Sequence, residues 1–108
     1  MGPTSVAPGE IPHLKNDIYY VIAYSSLKDK HRVFGYYTNL WSAQDALENK
    51  WKDIEDKIYD SFFIEKYQNE NKHTGEIIEY YEIEKNERKL TEKKAPECFK
   101  MIKNWALD

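Results

Sequence analysis

At 108 residues the chain has the length of one domain, with 41% apolar and 32% charged side chains and a formal net charge of −3. A single cysteine excludes an internal disulfide, no apolar run approaches the roughly 18 residues that span a bilayer, and no basic stripe marks a duplex-binding surface. Nine Tyr, four Phe and three Trp are a heavy aromatic load, suited to a small core or to a wet interface.

Residues 1–16 hold three of the four prolines and two of the four glycines. Such a segment makes neither a helix nor a central strand, so it is expected to be an extended arm ahead of a single α+β domain at 17–108. It has no basic start and no long apolar stretch, so it does not read as a signal peptide. Ile18–Ser25 is dense in strand formers, and Arg32–Thr38 returns after a polar turn with Lys28, Asp29 and Lys30 at its tip. Gly35 inside the second strand suggests a bulge or a close packing contact.

A helix is expected over Ser42–Ile58. Ser42 and Asp45 resemble a capping box, Trp41 is placed to staple onto Ala46, and Ala43, Ala46, Leu47, Trp51, Ile54 and Ile58 form one apolar stripe. Ser61–Gln68 is the third strand, Asn69–Gly75 a polar turn, and Glu76–Glu84 the fourth strand. Lys85–Lys94 is compatible with a longer strand, a loop or a helix start. Pro96 suits the first turn of a final helix at about 96–107, with Phe99, Ile102 and Ala106 inward and Cys98 and Trp105 beside them.

The order β-β-α-β-β-α predicts an α+β fold with a mainly antiparallel four-stranded sheet. The main helix is expected on a face carrying Ile18, Ile22, Phe62, Ile64 and Ile77. The other face would carry Tyr19, Val21, Phe34, Tyr36, Phe63, Tyr67, Ile78 and Tyr80. That face is too apolar to stand in water. The C-terminal helix, a second copy or a partner must cover it. Tyr19, Phe34, Tyr36, Tyr67, Tyr80 and Trp105 are therefore the expected interaction residues.

Chemistry is sparse. His13, His31 and His73 lie in the arm and in polar loops without a ligand partner at metal spacing, and read as surface histidines. Cys98, on an apolar helix side, reads as a buried inert thiol. Asp53, Asp56, Asp60, Glu79, Glu82 and Glu84 are interleaved with lysines and read as a solvated charged face. No catalytic residue, metal site or cofactor is expected, and the chain does not read as an enzyme.

Tyr19-Tyr20-Val21, then Gly35-Tyr36-Tyr37-Thr38 and Trp41, resembles the N-terminal hybrid-binding domain of eukaryotic ribonuclease H, the viroplasmin type. That resemblance implies binding of RNA–DNA duplexes. Extended through Ala43, Ala46 and Phe62–Tyr67, the pattern is similar to small uncharacterised hairpin–helix–hairpin domains of bacteria, phages and large DNA viruses. This implies a fold and a viral source, with no activity attached.

The reading that follows is a small non-enzymatic protein–protein interaction module, a viral or phage accessory or minor structural protein. It would bind a protein partner or its own copy inside a cell, the host cell if viral, and without a membrane. One alternative is nucleic-acid binding of the hybrid type through Lys28, Lys30 and Arg32. Another is inhibition of a host enzyme by an acidic decoy over Asp45–Asp60.

Overall fold

In the computed structural model the described residues are 17–55, 58–68, 71–84, 87, 89–101 and 104–106. The expected arm at 1–16 lies outside them. The elements are β1 (Ile18–Ser25), β2 (Lys30–Tyr37), α1 (Leu40–Glu55), β3 (Ser61–Gln68), β4 (Asn71–Glu84), β5 (Lys89–Lys93) and α2 (Glu97–Met101). The α+β class stands, but the sheet has five strands rather than four, all antiparallel, in the order β2-β1-β3-β4-β5. The added strand, β5, pairs Leu90 with Ile83 and Thr91 with Glu82. Lys93 is neutralised across the ladder, its Nζ lying 3.2 Å from Glu82 and 3.5 Å from Glu84, and Lys89 pairs with Glu87 of the preceding turn at 2.7 Å. β4 also starts earlier than expected, so most of the Asn69–Gly75 turn is strand.

Helix α1 begins two residues before Ser42. Asn39 is the cap: its Oδ1 accepts the Ser42 amide at 2.8 Å and its carbonyl accepts the Ala43 amide at 3.3 Å. Trp41 thus falls in the first turn and stands 71% exposed instead of packing on Ala46. Ala43, Leu47 and Trp51 are the buried stripe, set on β1, β2 and β3.

Residues directly opposite each other across a ladder share a face. Ile22 pairs with Phe63, and Phe63 with Tyr80. These three residues therefore lie together on the side away from α1. Val21, Ala23, Phe62 and Ile64 lie under α1, joined by Tyr19, Phe34, Ile78, Tyr81, Ile83 and Leu90. The expected faces are corrected accordingly: Ile18, Ile22 and Ile77 belong to the far side, and Tyr19, Val21, Phe34 and Ile78 to the helix side. On β1 the sides exchange through register alone, Ile22 lying opposite Phe63 and Val21 opposite Ile64, whereas two bulges account for β2 and β4. Val21 pairs with Gly35 and Ile22 with Val33, leaving Phe34 as an extra residue; Ile64 pairs with Glu79 and Glu65 with Ile77, leaving Ile78 extra.

The far side is closed by the C-terminal segment. α2 is one short helix, not a helix over about 96–107, and Trp105 and Ala106 lie in a turn beyond it. Phe99 and Trp105 drop onto Ile22, Phe63 and Tyr80, building a second core. Phe99 stands 4.9 Å from Tyr24, 5.7 Å from Phe63 and 5.6 Å from Tyr80 between ring centroids. Cys98 points the opposite way and is exposed, which corrects its expected burial. Among the described residues, no helix is long and apolar enough to cross a membrane.

Candidate functional site

Two features of the surface follow from this layering: a latched tail on one face and an open cleft on the other. The tail is held from three strands. His31 of β2 donates Nε2–H to the Trp105 carbonyl at 2.8 Å, which fixes its tautomer. Glu65 of β3 is 1% exposed, and its carboxylate accepts the amides of Trp105 at 2.9 Å and Ala106 at 2.8 Å. Gly75 of β4 donates its amide to Asn104 Oδ1 at 3.1 Å. Asn104 has φ 66°, a left-handed conformation that asparagine tolerates, and the reversal presents two successive amides to one carboxylate.

This latch decides the state of the aromatic residues expected to dock partners. Tyr67, Tyr80 and Trp105 are buried on the tail side. Tyr80 donates to Glu82 at 2.9 Å and accepts from Ser61 at 3.0 Å. Burial, with Glu82 holding its proton and Ser61 opposing, pushes its pKa up to about 12. The Tyr67 hydroxyl is buried, and burial, followed by the neighbouring Glu65 carboxylate, pushes it well above an ordinary tyrosine. Tyr19 and Phe34 are half-buried on the helix side. Tyr36 alone of the six is exposed, at 68%, tilted against Tyr20 at 6.0 Å. The six residues therefore do not form one surface.

The cleft lies beside α1. The helix covers β1–β3, and β4 and β5 extend past it. A cleft of about 260 Å³ opens there, lined by Trp41, Gln44, Asp45, Leu47, Glu48, Tyr81 and Leu90. Gln44 bridges the gap by donating Nε2–H to Glu79 Oε2 at 2.5 Å, and the Tyr81 hydroxyl donates to Glu79 Oε1 at 2.5 Å. Burial pushes the Tyr81 pKa well up, and the carboxylates of Glu79, Glu92 and Glu48 add to it. Sequence reading missed this site. In the sequence only its α1 wall is marked, by Trp41 at helical spacing from Gln44, Asp45 and Glu48; the wall from Tyr81 and Leu90 comes from the fold alone.

The remaining candidates are scattered. Lys28, Lys30 and Arg32 are exposed around the first hairpin turn, with the Arg32 guanidinium 4.9 Å from the Phe34 ring. Asp60 is structural: its carboxylate accepts both the amide and the hydroxyl of Ser26, tying the turn to the entry of β3. The side chains of Asp53 and Asp56, and of His13 and His73, lie outside the described residues. Among the described residues no group of three or more His, Cys, Asp or Glu is placed to hold a metal ion. Against this geometry, comparison with protein-family models, curated proteins and solved structures finds no match to the chain.

Proposed function

We propose that this chain is a non-enzymatic protein-binding module that receives its partner in the cleft between α1 and the β4–β5 ladder. The observation that carries the reading is the uncovered half of the helix-side face. Tyr81 and Leu90 are only half-buried there, and Trp41 stands 71% exposed at the cleft mouth. Tryptophan and tyrosine are the side chains that dominate binding energy when a partner excludes water from them. The tail-side aromatics do not support docking, because Phe99 and Trp105 already fill that face.

A photo-crosslinking residue at position 41, with the same residue at Leu27 as control, tests the reading. Leu27 is as exposed as Trp41 but sits in the β1–β2 turn. The expected result is a discrete protein adduct from position 41 that is absent from position 27 and is suppressed by excess unmodified chain. Equal adducts from both positions, or none from position 41, overturn the reading.

A further inference from the structure

We infer that the occupant of this cleft is one amphipathic helix of a partner protein whose polar face is rich in lysine or arginine. The inference rests on the docking reading above and deepens it by naming the chemistry of the partner.

Width comes first. Strands lie about 4.8 Å apart, so a five-stranded sheet is about 20 Å across, whereas a helix with its side chains is about 10 Å wide. One helix therefore cannot blanket this sheet. α1 sits over β1–β3, and the strip left over β4–β5 is about one helix wide. A helix laid there alongside α1 meets Trp41, Tyr81 and Leu90, the anchors for apolar residues at positions i, i+3 or i+4, and i+7.

Charge then selects the partner. Asp45 and Glu48 rim the cleft from α1. Glu92 stands opposite Tyr81 in the ladder and so shares its face, beside the cleft on the β5 side. Glu48 and Glu92 make no ion pair among the described residues. Alternation along β5 sends Lys89 and Lys93 to the other face, where Lys93 joins Glu82 and Glu84. Lys52, the nearest cation on the same flank of α1, leans over Trp51 at 5.8 Å. A helix with a basic polar face meets complementary charge on both sides. A second copy offering its own α1 would set Asp45 and Glu48 against carboxylates, and a nucleic-acid backbone would be repelled.

The test uses the full chain, isotope-labelled, titrated with three designed 18-residue peptides. All carry leucine at the same helical spacing, and their polar positions are all lysine, all glutamine or all glutamate. The lysine peptide is expected to shift the amides of Trp41–Glu48 and Leu90–Glu92. Its affinity is expected to fall about tenfold with W41A and about tenfold with D45K/E48K, and to lose most of its salt dependence in the latter. All three changed side chains are exposed, so both variants keep the native amide spectrum elsewhere.

Glutamine or glutamate peptides that bind the cleft as tightly as the lysine peptide overturn the basic-helix inference and leave the docking site standing. Failure of all three peptides to move the cleft amides overturns both. An affinity for the lysine peptide unchanged in D45K/E48K overturns the inference. A doubled mass by light scattering that W41A abolishes also overturns it, in favour of a second copy.

Discussion

Glu65 lies folded across Gly75. A β-carbon at position 75 would stand 2.5 Å from Glu65 Oε2 and 2.6 Å from its Cδ. The missing side chain is what lets the buried carboxylate reach the Trp105 and Ala106 amides. Glu65→Ala is expected to destabilise the fold by about 3 kcal/mol, since two amides lose a charged acceptor in a buried site. Gly75→Ala is expected to cost a similar amount by displacing Glu65. In the Glu65→Ala background the same Gly75→Ala change should be nearly neutral, because Glu65 supplies the three closest atoms and position 75 has no positive φ. Urea denaturation of the four proteins checks this. Additive losses in the double variant would show that Gly75 acts through some other contact.

Alkaline pH should unfold the protein through its buried tyrosines. A folded-state pKa raised above the ordinary value near 10 stabilises the fold fully below that value, and the contribution is lost as pH rises through the folded pKa. For Tyr80 the window therefore runs from about 10 to about 12, and Tyr67 and Tyr81 extend it upward. Stability should stay level up to about pH 10 from these groups and then decline, with part of the tyrosinate absorbance appearing only together with unfolding. Tyr80→Phe should shallow the decline. A single smooth tyrosinate titration that runs ahead of unfolding would contradict the burial of these hydroxyls.

The helix cap separates two neighbouring candidates. Asn39→Ala is expected to cost about 1 kcal/mol, the usual loss for an N-cap side chain, whereas Ser42→Ala should stay within a few tenths. Thermal melts followed by far-UV circular dichroism give the comparison. The reverse ranking would move the cap to Ser42.

Neighbours on α2 should behave in opposite ways. Phe99 contacts Tyr24, Phe63, Tyr80 and Trp105, so Phe99→Ala is expected to cost about 3–5 kcal/mol and loosen the tail. Cys98 is exposed, so its thiol should react in the native protein at the rate of an unhindered cysteine, and Cys98→Ala should leave stability unchanged. A native thiol that reacts only on unfolding would place Cys98 inside.

The sequence carries these elements unevenly. β1 and β3 are legible to the residue, because their β-branched and aromatic runs are bounded by polar turns. The Ala43–Leu47–Trp51 stripe likewise announces α1. β5 hides because Lys89-Leu-Thr-Glu-Lys93 is mostly charged, and only its pairing with Glu82 and Glu84 makes that charge acceptable in a sheet. The faces of β2 and β4 were misread because Phe34 and Ile78 each add one residue to a strand, which reverses a strict two-residue alternation, and that of β1 because its register against β3, with Ile22 opposite Phe63, is set only by pairing across the sheet. The tail contacts are non-local: His31 reaches Trp105 across 74 positions. So is the cleft, whose Gln44–Glu79 bridge spans 35 positions and whose existence depends on which strands α1 happens to cover. No local pattern encodes such relationships.

Those two surplus residues also mark where the sheet can tolerate being shortened. Removing one residue elsewhere in a strand turns every side chain beyond it inside out. At Phe34, Val33 already faces the tail and Gly35 already pairs under the helix; at Ile78, Ile77 and Glu79 flank it in the same sense. Excising either position lets the ladder zip shut with its neighbours unturned. The penalty should then be the lost ring or branched chain alone, so single-residue deletions at 34 or 78 should survive where a deletion at Ile22 or Phe63 unfolds the chain.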